Sequence, residues 1–194
     1  DVGAVYLYDG ATDALISTLT GSHSGDQIGS DGVTEVGTSD FVVLSGSWHA
    51  GTAAVGAATW VNGSAGPSGA VTSANSLVGS KHLDFVGAAV TALSNGNYVV
   101  ASPSWSGNAG AVTWCSGATG CSGAVSAANS LVGNNANDNI GLFVVAQFNR
   151  LRRLDVLLQG AWAGIDTLLA KRAGFMSRQL WVTAYDGEAI SFAA

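Results

Sequence analysis

The apolar residues of this chain fall into short runs separated by clusters of Gly, Asn, Asp and Ser. The runs are largely β-branched or aromatic, which suits the pleated, half-buried surface of a β-strand. In the middle of the chain they cover residues 57–61, 69–78, 86–93 and 98–101. Asn95 and Gly96 lie between the last two runs, where they can supply the positive φ angles of a tight hairpin turn. The pattern therefore predicts an all-β fold.

This pattern of runs and turns repeats along the chain. The string Ala-Asn-Ser-Leu-Val-Gly occurs at residues 74–79 and again at 128–133, an offset of 54 residues. The same offset relates Asp84 to Asp138, and a more diverged copy begins at Gly3 with offsets of 57 to 58 residues. Self-similarity at a fixed period of this length indicates a repeat architecture.

We expect three units within a β-repeat region that spans residues 1–141. The units cover about residues 3–55, 56–109 and 110–141, and the last of them is truncated. Four short strands in each unit of about 50 residues match a blade of a β-propeller. The predicted fold is therefore a partial β-propeller of about two to three four-stranded blades. A β-helix or solenoid is the alternative, although its coils are usually shorter than this unit.

The repeat breaks off after residue 141, and residues 142–194 form a divergent tail. The spacing of its leucines predicts a helix over about residues 150–172, and two strand-like runs predict a hairpin over residues 180–192. The basic, amphipathic character of the helix is compatible with a membrane surface or a partner. It is equally compatible with ordinary packing on the domain.

A frameshift is a further hypothesis for the tail. At residues 147–154 the repeat predicts Leu-Ser-Asn-Gly-Asn-Tyr-Val-Val. Codon degeneracy allows the +1 reading frame of the actual residues to encode Leu-Ser-Ser-Thr-Gly-Tyr-Val-Val. We hypothesise that a shift between about residues 134 and 146 replaced the rest of the third unit. The chain also opens just before a repeat strand, so we expect it to be a fragment of a longer protein.

Charge is distributed unevenly along the chain. The formal net charge is −6, yet up to residue 149 Lys81 is the one basic residue against nine acidic ones. Nucleic-acid binding needs clustered Lys and Arg, so nucleic acid is not an expected partner. No apolar run is long enough to predict a membrane span. The acidic, Lys-poor composition, rich in Gly, Ser, Thr and Asn, predicts an extracellular or cell-surface location in a bacterial protein.

The order of motifs resembles the FG-GAP repeat of integrin-α-like β-propellers over about residues 3–141. That unit runs from a Phe-Gly-like start through a strand, a polar turn and a Val-Val-x-x-Pro strand to a Gly-x-Val-Tyr-like strand. The matching motifs lie at residues 86–87, 90–93, 94–97, 98–103 and 110–114, and again at 3–8. The resemblance implies a propeller and a role in cell adhesion. A looser likeness links the chain to Gly-rich repeats of large bacterial surface proteins.

The same resemblance implies calcium, because many FG-GAP repeats carry an Asp-x-Asp/Asn-x-Asp-Gly loop. Calcium takes about six to eight oxygen ligands, several of them carboxylates. The corresponding segments at residues 37–40 and 94–97 hold a single carboxylate, that of Asp40. We therefore predict no metal and no cofactor.

Asp26, Asp84 and Asp138 recur at one position of the repeat. They could bind ions or sugars, or each carboxylate could accept backbone N–H groups in the turn before the next strand. Recurrence in every copy favours the second role, because a binding or catalytic site is seldom repeated in every blade. We predict that all three are structural turn carboxylates.

Trp48, Trp60, Trp105 and Trp114 form repeat-related pairs. Exposed indoles would offer stacking platforms for sugars, whereas buried indoles would anchor the packing between blades. The pattern favours packing. Ligand binding by these four tryptophans remains the alternative.

Cys115 and Cys121 flank a short loop, across which they could form a disulfide or remain free thiols. A disulfide would imply an oxidising compartment. Two cysteines with no histidine nearby make a poor zinc site. His23, His49 and His82 lie neither at metal-ligand spacing nor beside a nucleophile motif, so no catalytic residue is predicted.

The predicted function is a non-catalytic binding, adhesion or structural repeat module of a larger bacterial surface protein. The expected partners are other repeat units or copies of the chain, which would pair through open sheet edges. A glycan or a protein ligand is a further candidate partner. The alternative function is a lectin-like module, or part of a carbohydrate-active enzyme, that uses the tryptophans.

Overall fold

The computed structural model describes residues 1–66 and 69–141. Within these residues the regular secondary structure is β-strand apart from one helical turn, α1 (Trp105–Asn108), whose Ser106 has a positive φ angle. The all-β prediction is confirmed. None of the described sheets closes on itself, so the propeller remains a prediction. The helix and hairpin predicted within residues 142–194 lie outside the described residues.

The first sheet is built on an antiparallel hairpin of β1 (Ala4–Tyr8) and β2 (Leu15–Thr20). A short polar turn closes the hairpin. In this turn Asp9 Oδ1 accepts hydrogen bonds from the N–H groups of Ala11 and Thr12, both at 2.9 Å. A side chain that satisfies the backbone of its own turn is the usual role of Asp at such a position.

The middle sheet is an antiparallel meander of four strands. They are β3 (Val33–Val36), β4 (Asp40–Ser45), β7 (Ala57–Val61) and β9 (Leu77–Val78). Between β4 and β7 the chain forms a small separate hairpin of β5 (His49–Ala50) and β6 (Ala53–Ala54).

The third sheet repeats this meander one unit later in the chain. Its strands are β10 (Ala89–Ala92), β11 (Tyr98–Ser102), β12 (Ala111–Cys115) and β14 (Leu131–Val132). The two meanders therefore run over residues 33–78 and 89–132. The boundaries between the sequence units, near residues 55 and 109, fall inside the meanders. Each meander therefore takes two strands from one unit and two from the next.

One short strand in each of the second and third units crosses to the preceding sheet, and we call it the strap. β8 (Gly69–Ala70) pairs in parallel with β2, and β13 (Gly123–Ala124) pairs in parallel with β9. The single strand predicted over residues 69–78 is therefore wrong, because β8 and β9 belong to different sheets. Asn75 turns the chain between them, since its Oδ1 accepts the Thr72 N–H at 2.8 Å.

The three sheets stack face to face in chain order. Side chains alternate across a strand, so the middle sheet is buried on both faces. Val42, Leu44 and Leu77 pack towards the third sheet, where they meet Tyr98 and Val100. The opposite face packs against the first sheet, where Val43, Val61 and Val78 of the middle sheet meet Leu19 on β2.

Candidate functional site

Asp84 joins two parts of the fold through a buried carboxylate. The residue is 1% exposed, and its Oδ2 accepts the N–H groups of Ser80 and Lys81, both at 2.8 Å. Its Oδ1 accepts the N–H of Ser106 at 2.9 Å. Since Ser106 lies between β11 and β12, the carboxylate ties the turn that leads into the third sheet to a loop of that sheet.

Asp26 makes the same connection one unit earlier. It is fully buried, and its Oδ2 accepts the N–H groups of Ser22 and His23, both at 2.8 Å. Its Oδ1 accepts the N–H of His49, between β4 and β7, at 3.0 Å. The equivalent of Ser106 is therefore His49, and both lie far along the chain from the aspartate they contact.

Asp138 occupies the same kind of turn in an exposed position. Its Oδ2 accepts the N–H groups of Asn134 at 3.0 Å and Asn135 at 2.9 Å. The position that would correspond to Ser106 lies outside the described residues. All three aspartates thus accept backbone hydrogen bonds within their own turns.

The turn around Asp84 requires an unusual backbone. Leu83 and Phe85 on either side of it have φ angles of 66° and 44°, a conformation that costs a bulky residue roughly 1–2 kcal/mol. Gly79 allows the chain to fold closely onto the turn, because a Cβ at that position would lie 2.8 Å from Asp84 Cβ. The three hydrogen bonds of the carboxylate offset the backbone strain.

Two histidines lie beside Asp26. His49 Nδ1 is 3.0 Å from its Oδ1, and His23 Nδ1 is 3.9 Å from its Oδ2. Burial raises the pKa of Asp26, but hydrogen bonds from the N–H groups of His23, Ser22 and His49 and from the His49 ring together lower the pKa below its usual value. The carboxylate is therefore ionised at neutral pH.

These groups do not form a catalytic relay. Ser22 Oγ lies 3.0 Å from His23 Nδ1, which is the same nitrogen that faces Asp26. In a Ser-His-Asp triad the carboxylate orients one ring nitrogen while the other takes the serine proton. One nitrogen cannot serve both partners in this way, so the contacts belong to the turn. His82 is exposed on the surface and joins neither histidine.

Three of the four candidate tryptophans are substantially buried. Trp48 is 6% exposed and packs in the core between the first and middle sheets. Trp60 and Trp105 pack against the core between the middle and third sheets. The indole N–H groups of all three are buried and have no hydrogen-bond partner among the described residues. Trp114 differs, because 57% of it is exposed.

Cys115 and Cys121 form a disulfide, with their Cα atoms 5.3 Å apart. The loop that it closes lies over the middle sheet. A Cβ at Gly120 in this loop would be 2.9 Å from Cγ of Trp60. The disulfide therefore constrains the loop that covers this indole.

A second set of recurring polar contacts was not predicted from the sequence. Thr59 Oγ1 lies 2.7 Å from Ser76 Oγ, and Thr113 Oγ1 lies 2.7 Å from Ser130 Oγ. Each pair links the third strand of a sheet to the start of the fourth. The twice-occurring string Ala-Asn-Ser-Leu-Val-Gly was the available signal, because it contains both the serine of this pair and the asparagine that turns the strap.

The segments aligned with calcium loops direct their oxygens at the backbone. Asp40 Oδ1 accepts the Gly63 N–H and Asn97 Oδ1 accepts the Gly117 N–H, both at 3.0 Å. Over residues 1–66 and 69–141, no three His, Cys, Asp or Glu side chains come together as a set that could hold a metal ion. In the same part of the chain, no helix is long and apolar enough to cross a membrane.

A shallow hollow of about 10 Å³ lies between the first and middle sheets. It is smaller than typical small-molecule sites, which measure about 300–1,000 Å³. Its walls are almost entirely apolar and come from Val5, Leu7, Ser17, Leu19, Phe41 and Val61.

Stacked meanders, straps and recurring buried turns define an all-β repeat protein. Residues 35–88 and 92–142 each match a family described as a repeat of unknown function (DUF5650). The two matches cover more than half of the chain, and the protein belongs to this family. The match is not to FG-GAP repeats, so that likeness remains one of short motifs. Among curated proteins none matches the chain.

Proposed function

We propose that this chain is a non-catalytic structural and binding module that works outside the cell as part of a larger surface protein. The observation that carries the proposal is the use of the recurring polar side chains. Asp84, Asn75 and Ser76 all direct their oxygens at groups within the chain. A recurring polar group that is hydrogen-bonded within the chain stabilises the repeat and has few free hydrogen-bonding positions for a substrate.

The disulfide between Cys115 and Cys121 supports an extracellular location. Disulfides persist in oxidising compartments and are rare in the cytosol, where thiols are kept reduced. The acidic, Lys-poor composition of the repeat region is consistent with the same location.

An open sheet edge supports the binding role. Among the described residues β1 has a strand partner on one side, whereas its counterparts β7 and β12 have partners on both sides. An exposed strand edge can take up a further strand through its free N–H and C=O groups. Other repeat units, or copies of this chain, are therefore the partners that the module fits.

The location is tested on the source cells. Protease treatment of intact cells, followed by immunodetection, should remove the module while a cytosolic marker survives. The native protein should react with a thiol reagent only after reduction. A module that is protected in intact cells, with Cys115 and Cys121 reactive without reduction, would overturn the extracellular assignment.

The non-catalytic assignment is tested on a glycan array, followed by incubation with any glycan that binds. We expect no turnover of any glycan. Specific binding that Trp114→Ala abolishes and Val33→Ala preserves would instead favour the lectin-like alternative, because both side chains are more than half exposed and Val33 lies on a different sheet. Cleavage of a bound glycan would overturn the assignment altogether.

A further inference from the structure

One contact joins successive sheets twice within this chain. Leu7 on β1 and Trp60 on β7 occupy the same position of the repeat. Gly66, in the loop after β7, lies against Ser17 and Leu7 of the first sheet, and a Cβ there would be 2.6 Å from Ser17 Cβ and 3.4 Å from Leu7 Cδ2. Gly120, in the loop after β12, lies over Trp60, and a Cβ there would be 2.5 Å from Trp60 Cβ. In both cases a loop of the following sheet packs against the side chain at this position.

Trp114 is the third residue at this position and lies on the outward face of the third sheet. It is 57% exposed. Val112, two residues earlier on β12, shares its face and pairs directly with Leu131 on β14. Leu131 is 65% exposed. We call the exposed side chains of Trp114 and Leu131 the tryptophan face.

The first sheet carries a matching aromatic surface on its opposite side. In the middle sheet Thr59 and Val61 are buried at the positions that face the preceding sheet. In the first sheet the same positions are held by Tyr6 and Tyr8, which are 57% and 55% exposed and whose ring centroids are 6.5 Å apart. We call this pair the tyrosine face.

The first unit also lacks the strap that holds the other units to their predecessors. β1 and β2 are joined by the short turn at Asp9, whereas the chain between β7 and β9 contains β8. Any contact across the tyrosine face must therefore rest on side chains. The residues found there suit that requirement, because tyrosine and tryptophan are enriched at the energetic centres of protein interfaces.

We propose that the tyrosine face of one copy of this chain binds the tryptophan face of a second copy. This head-to-tail contact continues the packing that already joins the sheets within the chain. This proposal rests on the proposed function. It specifies the partner as a second copy of the chain and the binding surfaces as the tyrosine face and the tryptophan face. Heterologous contacts of this kind produce rings when the rotation closes and filaments when it does not.

The test measures the mass of the purified full chain by sedimentation equilibrium across a wide concentration range. The wild type should show species larger than a monomer that grow with concentration. The Tyr6→Ser/Tyr8→Ser and Trp114→Ser variants should each self-associate at least about tenfold more weakly. An equimolar mixture of the two should form a 1:1 dimer and nothing larger, because each variant retains the face that the other lacks.

Leu83→Asn is the matched control, since Leu83 is 50% exposed but lies in a turn away from both faces. It should associate like the wild type, and circular dichroism should show that every variant is folded. A wild type that stays monomeric would overturn the inference. So would self-association by the Trp114→Ser variant alone, which indicates symmetric pairing, or a glycan bound at either face. None of these results affects the location and thiol assays, so the proposed function is tested independently of this self-association.

Discussion

Gly120 lies directly on the indole of Trp60, although the two residues belong to different repeat units. A Cβ at Gly120 would be 2.5 Å from Trp60 Cβ, and the backbone there has a φ angle of 72°. The position thus requires glycine both for its conformation and for the space beside the ring. The contact shows how one unit covers a tryptophan of the unit before it.

Replacing Gly120 with alanine should lower the free energy of unfolding by about 2–4 kcal/mol, because strain at positive φ adds to overpacking against Trp60. Gly107→Ala is the matched control. Its φ angle is 71° and no atom lies within 4 Å of the added Cβ, so about 1 kcal/mol is expected there. Urea denaturation followed by circular dichroism measures both. Equal losses would show that the backbone conformation alone demands glycine.

Asp84→Asn should destabilise the fold by about 2–3 kcal/mol, because an uncharged amide replaces the carboxylate that accepts three backbone N–H groups in a buried site. Asp138→Asn provides the comparison, since that carboxylate is exposed and accepts two such bonds from the described part of the chain. Its loss should stay below about 1 kcal/mol. Similar losses in urea titrations of the two variants would contradict the importance of burial and of the long-range bond to Ser106.

The stability of the protein at acidic pH should depend on Asp26. Its folded pKa lies below the usual value of 3.8, so ionisation stabilises the fold above that value, and the stabilisation is lost as the pH falls through the folded pKa. In an acid titration of stability, Asp26→Asn should lose this contribution at all pH values and show a shallower acid limb. Asp9→Asn should change the limb less than Asp26→Asn, because Asp9 is only partly buried, although hydrogen bonds from Ala11 and Thr12 lower its pKa.

Reduction of the bond between Cys115 and Cys121 should lower the free energy of unfolding by about 2 kcal/mol, the loop-closure value for a separation of 6 residues. Thermal unfolding with and without a phosphine reductant measures the change. The Cys115→Ser/Cys121→Ser variant should match the reduced wild type and show no response to the reductant. A response in that variant would mean that the reagent acts elsewhere.

The period of the repeat, the strand-rich character and the recurring aspartates could all be read from the sequence, because each depends on residues close together in the chain. Asp84 and its turn partners Ser80 and Lys81 span five residues, and the local backbone dictates their contact. The same is true of Asn95 and Gly96 between β10 and β11.

Contacts between residues far apart in the chain could not be predicted in this way. Residues 69–78 form one strand-like run in the sequence, yet β8 pairs with β2 and β9 pairs with β7. The second oxygen of Asp84 binds Ser106, 22 residues away, and no local pattern marks that partner.

The sequence alone determined that this protein is a β-repeat with polar turns at regular intervals, because strand alternation and turn chemistry act over a few residues. The tertiary structure decided which strand crosses to which sheet and which tryptophans are covered. These features depend on how whole sheets stack, and the stacking is set by the combined packing of side chains from distant units.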